Sequence, residues 1–386
     1  SLCGVVVEAM RHQKIGGIYG ALNGILGVLR EELVDLRQED PLSVWNLRRT
    51  PSAALGSCRY RLLEGDFRRA IEVLAAHDVA YFIYAGGNDS MDTANRLARL
   101  AAAKKHDLRV IGVPKTVDND LLVTDHCPGY GSVARFSATA VRDSSLDTEA
   151  IYTTDTVKII ETMGRDTGWI TASTALAKAN EEDGPHLIYL PERPFVVEKF
   201  LDDVQSVYKR LGRVVICVCE GLRDEKGEFL VASEKAIDTD AFGHKLLGGV
   251  GDYLVKLISS NLKLKARYDK PGTIQRVSML CASQVDVEEA QRVGQVAVSR
   301  AVEGESAKMV TLVRKPGRDY RCETALVDLE EVALRKRSVP GVYINKGSNF
   351  VTPEFLEYAR PLIGGPLAEY SRLRKKMIEK SLPPYT

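Results

Sequence analysis

Two apolar runs between residues 79 and 120 each lead into a polar loop. Residues 79–85 are a continuous run of β-forming residues, the pattern of a strand buried on both faces of a parallel sheet. Apolar residues then recur at helical spacing from Ser90 onward. The pattern predicts a strand, a tight turn and a helix with Ser90 as its N-cap. Between strand and helix lies the polar motif Gly86-Gly87-Asn88-Asp89-Ser90.

A second short strand is predicted at residues 109–113, and a second motif follows it. In an open α/β sheet, the loops that leave the carboxyl ends of strands line the ligand crevice. The two glycines and the helix N-terminus of the first loop can cradle a phosphate, although an ordinary turn between a strand and a capped helix looks the same. A lysine and two aspartates in the second loop add groups that phosphoryl transfer uses. The second motif is Pro114-Lys115-Thr116-Val117-Asp118-Asn119-Asp120.

After residue 120 strands and helices alternate, which is typical of parallel sheets covered by helices. The polar residues 223–240 are interpreted as an exposed excursion without a function. A basic helix is predicted near the end of the chain, with an apolar side that packs on the body or on a neighbour. That apolar side contains Leu367, Tyr370, Leu373 and Met377. Further strands are predicted at residues 157–162, 186–190, 213–219 and 309–313, and helices at residues 197–211, 246–262 and 286–303.

Composition narrows the function classes. A length of 386 residues suggests two domains. The 53 Lys and Arg residues nearly balance the 52 Asp and Glu residues, so no overall field recruits nucleic acid or an anionic membrane. Seven scattered cysteines and six histidines show no metal-binding spacing, which argues against a zinc site. No apolar run is long enough to span a bilayer and no signal peptide is visible, so a cytoplasmic location is expected.

The two loop motifs resemble those of the 6-phosphofructokinase family, and within it those of the pyrophosphate-dependent branch. Together with further blocks in the family's order, they span most of the chain from about residue 16 to residue 298. Family members begin with a strand and a Gly-Gly loop that touches the phosphoryl donor, and both are expected to be missing ahead of the helix-like residues 1–10. The further blocks are Gly56-Ser57-Cys58-Arg59, Met163-Gly164-Arg165, Glu220-Gly221, and Arg267 with Thr273-Ile274-Gln275-Arg276.

The resemblance implies an α/β fold with two doubly wound, three-layer αβα domains. Their sheets are mostly parallel, and the active site lies in the cleft between them. Residues 1–130 and 277–330 would form the phosphoryl-donor domain. Residues 131–276 and 331–386 would form the sugar-phosphate domain, including a helical C-terminal tail. A homodimer or homotetramer is expected, with a neighbouring subunit completing the sugar site.

The implied reaction moves a phosphoryl group from pyrophosphate to the 1-hydroxyl of fructose 6-phosphate, reversibly, in glycolysis and gluconeogenesis. Asp118 would be the general base, and Lys115 and Arg165 would spread positive charge over the transferred group, with Asp89 completing the catalytic set. The implied donor site contains Gly86, Gly87, Asn88, Asp89, Ser90, Arg59 and Lys115. The implied sugar site contains Thr116, Val117, Asp118, Asp120, Met163, Gly164, Arg165, Glu220, Arg267, Thr273 and Arg276.

The choice of donor rests on Asp89 and Lys115, because ATP-dependent relatives have glycine at both positions. The Asp89 carboxylate would meet the α-phosphate of ATP as an unpaired like charge. Lys115 instead offers a point charge to the free end of pyrophosphate. Arg59 is assigned to the donor phosphates, and Arg61 competes with it for that role. These residues favour pyrophosphate.

Magnesium is the implied cofactor, with Asn88, Asp89 and Asp118 as candidate ligands. Asn88 stands where many relatives have a metal-binding Asp, so Asp89, Asp118 or phosphate oxygens would hold the metal instead. Thr273 stands where many members have His or Tyr, and Thr156 where bacterial ATP-dependent enzymes have a second Arg lent by a neighbour. The neutralisation of the sugar phosphate therefore stays open at this point.

Three alternatives stand beside this interpretation. The first is an ATP-dependent 6-phosphofructokinase, against which Asp89 and Lys115 both argue. The second is a lipid or NAD kinase with a similar glycine-rich cradle, although the Lys115 to Asp120 loop does not belong to those families. The third is a non-catalytic sugar-phosphate-binding subunit, against which Lys115 and Asp118 argue.

Overall fold

The computed structural model describes residues 1–231, 249–317 and 319–382. Within these ranges the strands form two four-stranded sheets and one short two-stranded ribbon. The helices are α1 Leu2–Arg11, α2 Ile25–Arg30, α3 Pro41–Asn46, α4 Glu64–Ala76, α5 Asn88–Ala103, α6 Tyr130–Ile151, α7 Trp169–Ser173, α8 Val197–Leu211, α9 Val250–Leu262, α10 Gln284–Val302, α11 Leu329–Val332 and α12 Pro353–Ala359. The strands are β1 Tyr19–Ala21, β2 Leu33–Asp35, β3 Tyr81–Gly86, β4 Arg109–Pro114, β5 Val157–Thr162, β6 Leu187–Ile188, β7 Val214–Cys219, β8 Ala266–Asp269, β9 Lys308–Arg314 and β10 Cys322–Asp328.

The first sheet has the strand order β10-β9-β4-β3 and carries helices on both faces. Strands β3, β4 and β9 are parallel, and β10 runs antiparallel to β9 along the edge. Successive residues of β4 point to opposite faces. Val110 packs with α4 and α5 on one side, whereas Ile111 and Val113 pack with α10 on the other.

The second sheet is parallel throughout, with the order β6-β7-β5-β8. All six residues of its central strand β7 are buried. Val215 and Cys217 pack with α6, α7 and α12, whereas Val214, Ile216 and Val218 pack with α8 and α9. Each sheet is therefore the middle layer of a helix–sheet–helix sandwich, and the prediction of an α/β fold with two three-layer units and mostly parallel sheets is confirmed.

The two layered units are tied together beside the carboxyl ends of their strands. Asp286 of α10 accepts hydrogen bonds from the N–H groups of Gly129 and Ser132 at the start of α6, at 2.7 and 3.0 Å. A carboxylate at a helix N-terminus accepts hydrogen bonds from the unpaired N–H groups there and interacts favourably with the helix dipole. No described helix is long and apolar enough to cross a bilayer. The exact residue bounds of the two domains stay predictions.

Strands β8 and β10 were not predicted from the hydrophobic pattern. Three of the four residues of β8 are exposed, so the strand has no alternation to detect. The predicted helix at residues 246–262 is described from Val250 onward, and its first residues lie outside the described ranges. The predicted excursion at residues 223–240 is described only as far as residue 231.

The predicted basic helix near the end of the chain is wrong. Residues 366–381 have no helical structure, and the C-terminal helical elements end at Ile363. Of the predicted apolar side, Leu367 is buried in the core of the second unit, whereas Tyr370 is exposed and Leu373 and Met377 are 85% and 86% exposed. A short helix without a packed face is marginal in water, because its nucleation cost is not offset by burial.

Candidate active site

The two signature loops, residues 86–90 and 114–120, lie side by side because β3 and β4 are parallel neighbours. Gly86, the last residue of β3, is in register with Pro114, the last residue of β4. The main-chain N–H of Lys115 then donates to the carbonyl oxygen of Gly86 at 3.0 Å. Both motifs therefore open onto the same edge of the first sheet.

Helix α5 begins at Asn88 with Gly87 as its N-cap, so the prediction that Ser90 caps the helix is wrong. The Ser90 side chain lies against Gly86 instead. A Cβ atom on Gly86 would come within 2.0 Å of the Ser90 hydroxyl oxygen and 2.4 Å of its Cβ. No side chain caps the first turn of α5, so its N–H groups can bind an anion.

A residue with a left-handed backbone separates Asp118 from Asp120. Asn119 has a φ of 55° and is fully buried. Its amide nitrogen donates to the Tyr358 hydroxyl at 2.9 Å, and its amide oxygen accepts the N–H of Cys127 at 2.9 Å. A left-handed conformation costs most residues other than glycine about 1–2 kcal/mol, and asparagine is one of the few that adopt it routinely. The bonds of the Asn119 side chain hold the turn that orients both aspartates.

Thr116 and Val117 anchor the start of the same loop. The Thr116 hydroxyl accepts the N–H of Asp118 at 3.1 Å. Thr116 also forms a bridge with Gly129, immediately before α6. Val117 is partly buried against the core that α6, α7 and α12 share. The loop therefore leaves the first sheet and packs on the second unit.

Side chains also join the two signature loops. The amide nitrogen of Asn88 donates to the carboxylate of Asp120 at 3.0 Å. The amide oxygen of Asn88 is buried and has no hydrogen-bond partner among the described residues. A buried oxygen of this kind ordinarily has a water, an ion or a ligand as its partner.

Both like and opposite charges act on Asp118. Burial, with the carboxylates of Asp120 and Glu220, raises the pKa of Asp118 to about 6, and nearby Lys115 and Lys336 lower it. Lys115 is exposed overall, but protein atoms around its ammonium partly exclude water and so lower its pKa. The positive charge of the Arg276 guanidinium lowers it further. A carboxylate with a pKa near 6 is ionised at neutral pH and is basic enough to accept a proton.

The loops after β5 and β7 meet through two glycines. The N–H of Gly221 donates to the carbonyl oxygen of Gly164 at 3.1 Å. A Cβ atom on Gly221 would lie 1.8 Å from the carbonyl oxygen of Arg165, and one on Gly164 would lie 2.8 Å from that of Thr167. Only glycine permits this approach. As a result Arg165 and Glu220 lie close together, and the guanidinium lowers the pKa of the Glu220 carboxyl that burial raises.

Thr167 and Arg276 of the second unit both come close to the loop of residues 115–120, the candidate catalytic loop. The Thr167 hydroxyl donates to the main-chain carbonyl of Asp118 at 3.3 Å. Gln275 is buried, and its amide oxygen accepts the N–H of Met163 at 3.2 Å. This bond attaches the 3₁₀ turn Gly272–Arg276 to the end of β5. Arg276, at the end of the turn, lies near enough to Lys115 to lower the pKa of its ammonium.

Arg267 is not brought to this cleft within the chain. It pairs in register with Lys158, near the amino end of β5, and its guanidinium binds Asp155 at 2.8 Å. Thr162 lies four positions after Lys158 along β5, roughly 13 Å away at the rise of a strand. Thr273 lies on the 3₁₀ turn and is exposed.

The two remaining candidates for binding the phosphoryl donor, Asp89 and Arg59, both lie near the end of β3. Asp89 is exposed in the first turn of α5. Arg59 is exposed on the irregular loop between α3 and α4, and the adjacent Cys58 lies beside Tyr84 of β3. The structure thus keeps both residues on the side of the cleft that the first sheet forms.

Four charged residues at the cleft were missed by the sequence analysis. Glu161 is fully buried on β5 and binds Lys270 at 2.8 Å, and Lys270 also lies 3.8 Å from Glu220. Lys336 pairs with Asp166, and Arg337 bonds to the catalytic loop. A charged residue inside the apolar run at residues 157–162 was a usable signal for Glu161. Nothing local in the sequence marks Lys336 or Arg337.

The oxygen atoms at the junction of the loops fit a magnesium ion. Magnesium prefers oxygen ligands and is usually bound through one or two carboxylates together with substrate phosphates. Asn88 offers a buried oxygen without a partner, and Asp120 holds its amide in place. The described residues contain no group of three or more His, Cys, Asp or Glu side chains that would enclose a metal by themselves. This arrangement suits a metal that is bound mainly through a phosphate ligand.

Comparisons with known proteins give a consistent result. The chain is 41% identical to the pyrophosphate--fructose 6-phosphate 1-phosphotransferase of Xanthomonas campestris, over 98% of this chain and 94% of that protein. It is 39% identical to the protein of the same name from Halomonas elongata, over 100% of this chain and 95% of that protein. The crystal structure of a pyrophosphate-dependent phosphofructokinase from Marinobacter aquaeolei superposes with a TM-score of 0.85 at 37% identity, covering 99% of this chain and 94% of that one. A family model described as phosphofructokinase matches residues 1–301, and with these full-length relatives it shows that the chain belongs to the phosphofructokinase family.

Proposed function

We propose that this protein transfers a phosphoryl group from pyrophosphate to the 1-hydroxyl of fructose 6-phosphate, giving fructose 1,6-bisphosphate and phosphate. The reaction is reversible and serves glycolysis and gluconeogenesis. The observation that carries the proposal is the position of Asp118. The pKa of its carboxylate is raised to about 6, and the charges of Lys115 and Glu220 both act on it. In this proposal, Asp118 therefore lies between the residues that bind the donor and those that bind the sugar.

Asp118 is the general base in this proposal. Its carboxylate takes the proton of the sugar 1-hydroxyl as the oxygen bonds to phosphorus, and in the reverse reaction it returns that proton. Such a base contributes a factor of roughly 10² to 10⁴ to the rate. Lys115 and Arg165 stabilise the charge on the transferred phosphoryl group, which is the main task of a protein in phosphoryl transfer.

The proposed donor site is the edge formed by the first turn of α5 and by Lys115. The N–H groups of that turn bind phosphate oxygens together with Arg59. Asp89 is exposed at the same turn and repels an α-phosphate, whereas Lys115 pairs with the free end of pyrophosphate. Magnesium held by Asn88, Asp89 or Asp118 and by phosphate oxygens supplies further positive charge to the donor when it is bound.

The proposed sugar site uses both sides of the cleft. Thr116, Val117 and Asp120 contact the sugar from the first unit. Arg276 is the candidate for the 6-phosphate within the same chain, because its guanidinium lies near Lys115. Arg267 would reach the 6-phosphate of a neighbouring subunit in a homodimer or homotetramer. The residues proposed from the second unit are Met163, Gly164, Arg165, Glu220, Thr273 and Arg276.

A direct assay tests the function. Purified protein is given fructose 6-phosphate, magnesium and either pyrophosphate or ATP, and product is followed by coupling to aldolase. We expect turnover with pyrophosphate and at least 100-fold lower kcat/KM with ATP. Preference for ATP would establish an ATP-dependent phosphofructokinase. Binding of fructose 6-phosphate in calorimetry without turnover from either donor, in either direction, would establish a non-catalytic sugar-phosphate-binding subunit.

A further inference from the structure

Arg337 reaches the catalytic loop from a segment more than 200 residues away in the chain. Its Nε and Nη2 atoms donate to the carbonyl oxygen of Asn119 at 3.2 and 2.9 Å. Its Nη1 atom donates to the carbonyl oxygen of Thr124 at 2.7 Å and also to that of Asp125. The main-chain N–H of Arg337 donates to the carbonyl oxygen of Asp120 at 2.8 Å. One residue therefore binds four carbonyl groups between positions 119 and 125.

The guanidinium is itself held in one orientation. It lies over the ring of Trp169, with the guanidinium carbon 4.6 Å from the ring centroid. The indole N–H of Trp169 donates to the carbonyl oxygen of Arg337 at 2.9 Å. Trp169 is fully buried in the core of the second unit, packed against Tyr358. Arg337 is thus a rigid link from that core to the catalytic loop.

Two of the four bonded carbonyls, those of Asn119 and Asp120, belong to the turn that joins the two aspartates. Asn119 has a left-handed backbone, which asparagine adopts more readily than other residues with a side chain when its amide is hydrogen-bonded, as it is here. Arg337 binds the peptide groups on both sides of Asp120, which follows directly. If these bonds were lost, the turn could relax and the side chains of Asp118 and Asp120 would change direction.

We propose that Arg337 is a positioning residue that orients the Asp118 and Asp120 carboxylates by fixing the left-handed turn at Asn119. This role rests on the proposed function, because it concerns the base of that reaction. It acts through geometry rather than charge. The cations with the largest effect on the pKa of Asp118 are Lys115 and Lys336.

The role requires arginine. A guanidinium presents five N–H donors in a planar fork, so it can serve three carbonyl groups while it stacks on an aromatic ring. A lysine ammonium keeps the positive charge but cannot reproduce the fork or the stacking. Arg337→Lys therefore separates the geometric contribution from the electrostatic one.

The kinetic test compares Arg337→Lys with Arg335→Lys, a matched change at an exposed arginine in the same segment. We expect Arg337→Lys to lower kcat by 10- to 100-fold, since misplacement by about 1 Å can reduce a rate about 100-fold. KM for pyrophosphate should stay within threefold, and the acid limb of the pH profile should not move. Arg335→Lys should match the wild type. Guanidinium should restore part of the activity of Arg337→Ala, and methylammonium should not.

Hydrogen exchange tests the same link without substrates. The N–H of Cys127 donates to the Asn119 side chain, so its exchange reports on the turn. We expect at least tenfold faster exchange in a peptide covering residues 119–127 of Arg337→Lys, with no change in α8. Unchanged exchange, a rise in KM without a fall in kcat, or failure of Arg337→Lys to fold while Arg335→Lys folds would each overturn the positioning role. Absence of turnover in the wild type would instead overturn the proposed function, and the exchange result would still decide whether Arg337 holds the turn.

Discussion

The side-chain amide of Asn88 donates a hydrogen bond to the carboxylate of Asp120 at 3.0 Å, joining the loop after β3 to the loop after β4. Burial raises the pKa of the same Asp120 carboxyl, so the site disfavours negative charge there. An uncharged donor at position 88 therefore relieves a site that already contains Asp118, Asp120 and Glu220. A carboxylate at position 88 would have the opposite effect.

Asn88→Asp should raise the pKa values of the neighbouring carboxyl groups, because it adds a like charge within hydrogen-bonding distance of Asp120. We expect the acid limb of kcat/KM to move up by about one pH unit. Asn88→Ala is the control, since it removes the hydrogen bond without adding charge, and its acid limb should stay near that of the wild type. Identical pH profiles for the two variants would show that charge at position 88 does not change the pKa of Asp118.

Asp118→Asn should lower kcat by roughly 10² to 10⁴, because an amide cannot accept the hydroxyl proton. Binding of fructose 6-phosphate, measured by calorimetry, should change little. In the wild type, kcat/KM should rise as the pH increases through about 6, the pKa of the Asp118 carboxyl. A variant with kcat within a few-fold of the wild type would remove Asp118 from the role of base.

The same substitution should stabilise the fold at neutral pH. The folded protein raises the pKa of Asp118 from 3.8 to about 6, so it holds this proton more tightly than the unfolded chain does. The resulting stability is present below pH 3.8 and is lost as the pH rises through about 6. Asp118→Asn should therefore increase the free energy of unfolding at pH 8 by up to about 3 kcal/mol, with little gain at pH 4. Denaturant unfolding at both values measures this, and a loss of stability at pH 8 contradicts it.

Lys336→Met should raise the pKa of Asp118, because the Lys336 ammonium lowers the pKa of both Asp118 and Asp120. The acid limb of the pH profile should move upward in Lys336→Met and stay in place in Lys336→Arg, which keeps the charge. Lys346→Met, at an exposed lysine, is the control for loss of one positive charge. A shift of equal size in both methionine variants would indicate a general charge effect.

Arg267→Ala tests whether the sugar site is shared between subunits. We expect KM for fructose 6-phosphate to rise far more than kcat falls, because a contact to the non-reacting phosphate is equally strong in the ground and transition states. Arg267 lies far from Asp118 in its own chain, so mixed oligomers of Arg267→Ala and Asp118→Asn should regain activity. No recovery in verified mixed oligomers would argue that each site is built from one chain.

The donor preference should depend on Asp89 and Lys115 together. In the proposed donor site, Asp89→Gly would remove a carboxylate that repels an α-phosphate, whereas Lys115→Gly would remove a hydrogen bond to a charged group, worth about 1.5–3 kcal/mol. The double variant should gain activity with ATP and lose most activity with pyrophosphate, and the effects should be non-additive because both side chains would contact the same donor. Comparison of kcat/KM for both donors across the four proteins measures this. An unchanged donor ratio in the double variant would refute the assignment.

Local signals in the sequence were sufficient for much of the fold. The predicted strand at residues 157–162 and the predicted helix at residues 197–211 coincide with β5 and α8. Their periodicity is a property of neighbouring residues, so it can be detected without a structure. The predictions failed where the periodic signal was weak or where a partner was needed, as at the exposed strand β8 and at the C-terminal tail, where Leu373 and Met377 are exposed.

The amino-acid sequence by itself determined the family, the order of the loops and the residue types at the candidate site, because these are encoded in short contiguous motifs. Only the tertiary structure decided which of these residues meet. It placed Arg276 near Lys115 and Arg267 near the opposite end of β5. It also brought Arg337 to Asn119 across 218 residues of sequence. The hydrogen bonds of such a pair depend on the packing of two complete units, and no local pattern encodes them.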